Sequence, residues 1–373
     1  MTTLTLAASM ALWPQSAGIP EARWHCMFSG VNMPHGFMII GDQTLEKQRA
    51  FTSSEEIKIM KGMGIKNVRI PFVPEAIAKS YSPPILDTAK LANLRRAIES
   101  FRREGILVQL DLHDGTRLAR AMETSLEPVR ELKAFWRVVA EALKDIDPNY
   151  LMFEILNEPQ VQDGALWWSI QKSVISEIRS VAPTHTIIVQ ASKWSSIDDL
   201  RARAPYSDKN IIYTFHFYEP FIFTHQGANW ATFEQGDWRD IRFPTTTENL
   251  ESLKSQITSA NKRRLYDSFA AQPWNAARIR ERIELIADWG ERYDARVTCN
   301  EFGTVRETVD SRSRFNWHRD TVRALEEFGI GWSVYEWRGG MGMHYGKITS
   351  VGAKDTIDWN IIDALGWRRP RLR

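Results

Sequence analysis

Along its 373 residues the chain repeats one pattern eight times: a short apolar run, then a segment whose apolar residues recur every three or four positions. Runs of the first kind read as parallel strands buried on both faces, and the second spacing is that of an amphipathic helix. Strands are expected over 26–32, 66–71, 106–113, 151–156, 186–190, 210–220, 297–303 and 330–337. Helices are expected over 54–63, 88–104, 166–181, 196–203, 275–293, 313–328 and 359–365. One more is marked by the stripe Leu132, Phe135, Trp136, Val139, Ala140 and Leu143. Eight such units predict an α/β fold, a single (β/α)8 barrel, rather than an open doubly wound sheet. One connection breaks the rhythm. After the sixth strand, residues 219–273 are too many for an ordinary strand-to-helix loop. They hold Phe221, Phe223, His225, Trp230, Trp238 and an expected helix around 249–260. A long loop on the top face of a barrel commonly walls or covers a site.

The strand beginning at Leu151 is apolar in five of its first six residues and then stops on Asn157, Glu158 and Pro159. Proline cannot donate to a sheet ladder, so the strand ends there with an amide and a carboxyl at its tip. A carboxyl with apolar strand behind it can have its pKa raised by burial, as a general acid requires. Alone, such a Glu reads more readily as a helix cap or an ion-pair partner than as a catalytic group. A second tip, Val297-Thr-Cys-Asn-Glu-Phe-Gly303, again presents Asn and then Glu301. The other strand ends carry Arg69, His113, His216, Tyr218, Tyr335 and Trp337. In a barrel these ends converge on the face where chemistry occurs. Arg69 alone could be a structural ion-pair partner, and either His a core imidazole. Two carboxylates in such company suit cleavage of a glycosidic bond.

Composition excludes several other classes. The net charge is +2 with acids and bases mixed, so no basic stripe points to nucleic acid. The chain contains no Walker loop, dinucleotide glycine fingerprint, His-Glu-x-x-His or Gly-x-Ser-x-Gly. No cofactor and no metal are expected. Cys26 and Cys299 match no metal-ligand spacing and are expected to be two buried free thiols. The 15 Trp offer flat apolar faces suited to sugar rings. Residues 1–20 contain an apolar run from Leu4 to Trp13 and a small-residue exit, like a secretory signal, but no basic residue precedes the run. The expected organisation is a signal or leader over 1–20 and one domain over 21–373, secreted or periplasmic. No segment is long enough to cross a membrane.

Several motifs in order carry a family resemblance: Val68-Arg-Ile-Pro-Phe72, Leu110-Asp-Leu-His113, Phe153-Glu-Ile-Leu-Asn-Glu-Pro159, Tyr213-Thr-Phe-His-Phe-Tyr-Glu-Pro220 and Asn300-Glu-Phe-Gly303. On these the chain resembles glycoside hydrolase family 5, the cellulase family of retaining (β/α)8 enzymes. Phe223-Thr-His-Gln-Gly-Ala-Asn-Trp230 is similar to a stretch in its bacterial endoglucanases. The resemblance implies Glu158 as acid/base and Glu301 as nucleophile, with Asn157 bonding the 2-hydroxyl of the sugar being cleaved. It implies Arg69 and Tyr218 as partners of Glu301, His113 as a contact of the same sugar, and His216 as a neighbour of Glu158. Trp230 is expected to line the cleft with Trp238.

Three features depart from the family pattern. Where a Trp platform precedes a Glu on the last strand, this chain has Tyr335 before Glu336, so either Tyr335 or Trp337 is the expected platform. Asp114 replaces a second His that some relatives carry, and the 339–345 segment is glycine-rich. The implied activity is endo-β-1,4-glucanase on cellulose-like or mixed-linkage glucan. Alternatives are a β-mannanase, xyloglucanase or β-1,3-glucanase, or a non-catalytic carbohydrate-binding barrel. The expected partner is a β-glucan polysaccharide or oligosaccharide, with no nucleic acid or membrane, and the chain is expected to be a monomer.

Overall fold

The computed structural model describes residues 18–39, 43–113, 118, 121–231, 234, 236–344 and 356–370. Most of the 1–20 leader, Asp114 and Tyr345 lie outside them. Eight parallel strands close into a barrel: β1 (Gly30–Asn32), β2 (Asn67–Phe72), β3 (Leu107–Leu112), β4 (Leu151–Glu154), β5 (Thr186–Gln190), β6 (Ile211–Phe217), β7 (Arg296–Phe302) and β8 (Gly331–Val334). They follow chain order around the barrel, and β8 pairs with β1 to close it. The covering helices are α1 (Ser54–Met63), α2 (Thr88–Arg103), α3 (Glu127–Leu143), α4 (Gly164–Val181), α5 (Ile197–Arg201), α6 (Ala276–Tyr293), α7 (Ser311–Glu327) and α8 (Trp359–Ala364). All but α3 open on a Ser, Asp or Asn whose side chain accepts a first-turn N–H, which is why each starts where it does. The α3 stripe, from Val129 to Leu143, is buried against the barrel as its spacing predicts. Among the described residues, no helix is long and apolar enough to cross a membrane.

Some boundaries differ from the sequence expectation. The first strand is three residues long because residues 26–29 form the turn that follows a Glu21–His25 helix, which sets Trp24 and Met27 beneath the barrel. There they pack on Leu107, Met152, Ile188 and Ile212 and plug its lower end. Both cysteines are free, but only Cys299 is buried and Cys26 is partly exposed. The helix expected at 249–260 is two helices, Thr247–Leu253 and Ala260–Ala271. Ser259 caps the second, accepting from the Lys262 N–H, and so divides them.

Above the plug the barrel lumen is polar, where most barrels of this kind carry branched apolar side chains. Gln109 donates to Asn67 Oδ1 (2.7 Å) and Ser333 Oγ (3.0 Å), and Thr214 donates to Asn300 Oδ1 (2.6 Å). Asn300 Nδ2 donates to Glu154 Oε2 at 2.8 Å. The partners interlock, so this layer is costly to disturb. The pairing of β6 with β7 contains a bulge: Phe215 faces Cys299, yet His216 faces Glu301, leaving Asn300 as an extra residue. Because strand side chains alternate, that residue lets both Asn300 and Glu301 face the lumen while Cys299 and Phe302 pack outward.

Gly30 sits where β1 crosses the polar layer, and a Cβ there would collide with Asn67 Oδ1 and Ser333 Oγ. Gly30→Ala is therefore expected to lower stability by about 1–3 kcal/mol. Denaturant unfolding should show a lower midpoint with an unchanged slope.

Candidate active site

Alternation along β2 turns Arg69 into the lumen, fully buried. Burial opposes its charge, but Asp111, Glu154 and Glu301 outweigh it and hold the guanidinium well above its ordinary pKa. Every nitrogen is used. Nε and Nη2 form a two-pronged pair with Glu154 (both 2.9 Å), and Nη1 reaches Glu301 Oε2 (2.8 Å) and Asn32 Oδ1 (3.0 Å). Nη2 also reaches Asn157 Oδ1 (2.8 Å) and lies 2.9 Å from Asp111 Oδ2. This planar fork fixes directions as well as charge, which a lysine could not do.

Glu301, aimed by the β7 bulge, receives Arg69 on one oxygen and the Tyr218 hydroxyl on the other, each at 2.8 Å. Burial favours its neutral form, yet the charges of His216, Arg69 and His113 and the Tyr218 bond prevail and bring its pKa down to about 2. Tyr218 in turn meets the His225 ring edge-on at 4.9 Å, and His225 stacks on Phe221. Burial lowers His225 to about 4, against the Glu301 charge, so it backs Tyr218 as a neutral ring.

Glu158 stands at the end of β4 in the left-handed region, with φ at 43°. Its side chain is 26% exposed, so the burial expected at this tip is partial. Oε1 accepts from His216 Nδ1 at 2.8 Å, and the same nitrogen lies 3.8 Å from Glu301 Oε2. One oxygen of each glutamate and a ring nitrogen of His216 lie within 4.8 Å of one another. Asn157 shares the tip: its Oδ1 faces Arg69, which leaves Nδ2 to donate to His113 Nε2 at 3.2 Å. His113 Nδ1 pairs with Asp111 Oδ2 at 2.8 Å, so both ring nitrogens are committed within the protein. The structure therefore brings Glu158, Glu301, Arg69, His113, Asn157, His216 and Tyr218 into one cluster.

The aromatic rim divides. Tyr335 is partly exposed and packs beside Tyr218, Ala228 and Met341. Trp337, the alternative platform, is corrected: it is 1% exposed, and its indole donates to Glu56 Oε1 of α1 at 2.6 Å. It faces away from the cleft because Glu56, also paired to Arg338, needs a donor there. Trp238 is likewise corrected from cleft wall to core, with Lys262 Nζ 5.3 Å from its ring. Trp230 is 57% exposed and overhangs Gly340, where a Cβ would come within 2.7 Å of its ring.

Asp111, Glu154, Asn32, Gln190 and Glu336 also reach the site, without a sequence motif that assigns them a role. For Asp111 and Glu154 the available signal was a lone charge inside an apolar strand, which demands a buried partner. Glu336 is buried over Gly339; burial, reinforced by the Glu301 charge, pushes its pKa up to about 8 against the Met341 N–H bond.

A profile of the family described as cellulase (glycosyl hydrolase family 5) matches residues 35–340. Endoglucanase C of Acetivibrio thermocellus is 26% identical over 318 residues, spanning 83% of this chain and 91% of that protein. A solved hyperthermophilic endo-β-1,4-glucanase in complex with substrate superposes with a TM-score of 0.71 at 26% identity, covering 92% of this chain and 98% of its own. The endoglucanase Cel5A of Thermotoga maritima, 24% identical, shares the fold with a TM-score of 0.71 over 92% of this chain and 98% of its own.

Burial opposes a charge on His216, but Glu301 and the Glu158 bond raise its pKa above 6.5. Its contribution to stability is thus complete below pH 6.5 and fades as pH rises through the folded value. Glu301 has the opposite sign, contributing above 4.5 and fading as pH falls towards 2. The pair is expected to stabilise most between pH 4.5 and 6.5. Glu301→Gln should flatten both limbs of stability against pH, and NMR of the His216 imidazole should show its pKa fall.

Proposed function

The chain belongs to the cellulases of glycosyl hydrolase family 5, and on that premise we propose that it is a retaining endo-β-1,4-glucanase in which Glu158 is the acid/base and Glu301 the nucleophile. One observation carries the division of labour. Two glutamates on different strand ends approach within 4.8 Å, and only Glu301 is gripped by Arg69 and Tyr218. Retaining glycosidases place their carboxyl groups about 5–5.5 Å apart, whereas inverting enzymes leave room for a water at about 6.5–9.5 Å.

In the proposed reaction Glu158 gives its proton to the glycosidic oxygen as Glu301 attacks the anomeric carbon. The bond from that carbon to the leaving oxygen breaks, and the departing sugar carries the proton away. Esterification removes the negative charge of Glu301, and Glu158 then takes a proton from water. That water attacks the anomeric carbon and releases Glu301 as a carboxylate. Asn157, oriented by Arg69 and His113, has a second amide hydrogen to offer the 2-hydroxyl of the sugar, a contact that strengthens towards the transition state. With both nitrogens of His113 engaged, we assign it first to orienting Asn157. The endoglucanase relatives favour glucan over mannan, xyloglucan, β-1,3-glucan or a non-catalytic barrel. A polymeric substrate that does not enter cells supports action as a secreted or periplasmic enzyme.

The test is a panel of polysaccharides assayed for reducing ends and product length, with cleavage of β-1,4-glucan expected to exceed that of mannan. Glu301→Ala should abolish turnover of every substrate. Glu158→Ala should spare an activated aryl glycoside and be rescued by azide, because a good leaving group needs no proton. Equal losses on both substrates without rescue would overturn the assignment.

Rim residues should separate by chain length. Trp230→Ala is expected to weaken binding of long cellodextrins by about 1–3 kcal/mol and that of short ones little. Trp337→Phe, which strands part of Glu56, should instead lower the melting temperature and affect all chain lengths alike. Measuring kcat/KM against oligosaccharide length, alongside melting curves, checks both.

A further inference from the structure

Gln190 ends β5 fully buried, and its carboxamide lies between the two halves of the catalytic cluster. Nε2 donates to Glu154 Oε1, the oxygen that also receives Arg69 Nη2. Oε1 accepts the backbone N–H of Glu158 at 2.8 Å and the hydroxyl of Ser195. Only one orientation of the amide satisfies both sides, since a carboxylate offers acceptors and a peptide N–H is a donor. The two sides depend on it unequally. Glu154 keeps both Arg69 bonds and the Asn300 amide without Gln190. The Glu158 N–H belongs to a residue at φ 43°, a conformation costing about 1 kcal/mol or more for a side chain with a Cβ. It is held there by the Gln190 oxygen.

The neighbouring chain is drawn to the same point. Lys193, Trp194 and Ser195 all have positive φ (54°, 60° and 56°), an unusual left-handed run that ends with the Ser195 hydroxyl on Gln190. Ser192, just before the run, donates to the carbonyls of Pro159 and Val161 in the loop that follows Glu158.

We propose that Gln190 is a positioning residue for the acid/base, fixing the backbone of Glu158 and so the aim of its carboxyl at the glycosidic oxygen. The proposal rests on the assignment of Glu158 above. It deepens that assignment by naming the group outside the reaction on which proton delivery depends. Because the nucleophile side keeps its own anchors, loss of Gln190 should impair protonation of the leaving group and largely spare attack by Glu301.

Gln190→Met removes both hydrogen-bonding groups at similar volume. Its kcat on cellotetraose is expected to fall about a hundredfold, the lower end of what general acid catalysis supplies. Its kcat on a dinitrophenyl β-cellobioside, whose leaving group needs no proton, should change less than about threefold, with KM little altered on either. Gln190→Glu provides the rescue and covers a failure of the first variant to fold. A protonated Glu can donate to Glu154 and accept from Glu158, whereas an ionised one repels Glu154. Its activity on cellotetraose should therefore approach the parent enzyme at acid pH and collapse as pH rises, ahead of the parent profile. Equal losses on both substrates for Gln190→Met, or a parent-like pH profile for Gln190→Glu, would overturn the proposal. Glu158→Ala separates the two levels. If it does not discriminate between the substrates, the acid/base assignment fails; if it does and Gln190→Met does not, only the role of Gln190 falls.

Discussion

A guanidinium buried inside a barrel is tolerable only if its charge is answered on every side, and Arg69 is answered by three carboxylates and two amide oxygens. Each of those groups then needs partners of its own, and the network spreads outward. Glu154 engages Asn300 and Gln190, while Asp111 engages His113, which engages Asn157. The cluster around the two glutamates is thus the upper end of a hydrogen-bonded column reaching down to Asn67 and the Cys26 carbonyl. Such a column adds little net stability compared with apolar packing, but its geometry admits few alternatives. What it supplies is direction: a Glu301 carboxyl already ionised and an Asn157 amide already turned.

The outline of this arrangement was legible in the sequence because it depends on local signals. Eight apolar runs separated by amphipathic stretches specify the barrel, and proline after Asn157 and Glu158 marks a strand tip. The side chains at the C-terminal ends of different strands must then converge. Family motifs added the roles of Arg69, Asn157, His216 and Tyr218, and the geometry brings these residues to the two glutamates.

What stayed hidden depends on partners distant in sequence. Trp337 looks the same as a sugar platform until Glu56, 281 residues away, captures its indole. Trp238 and Trp230 sit in one loop, yet one is core and the other overhangs Gly340, a difference no local pattern records. Gln190 reads as the polar last residue of a strand, and only closure of the barrel sets it between Glu154 and Glu158. The first strand lost residues 26–29 to a turn that lets Trp24 and Met27 seal the lower end. In each case tertiary burial decided between local options of similar cost.

The bulge at Asn300 makes the position of Glu301 a matter of parity. In a regular strand, odd and even residues face opposite sides, so neither the lumen amide nor the carboxyl can be moved by one place without changing sides. Asn300 breaks the count once, and two successive polar residues, one for the column and one for the glutamate pair above it, share the inner face. Deleting Asn300 would leave Phe215 facing Cys299 and His216 facing Glu301 in unbroken register, so Glu301 would keep the inner face with Phe302 still packed on Trp317 and Trp332 outside. What would go is the amide that joins Thr214 to Glu154 in the lumen. The strand therefore carries one residue of slack, and its loss would be felt in the layer beneath the carboxyl rather than in the direction the carboxyl faces.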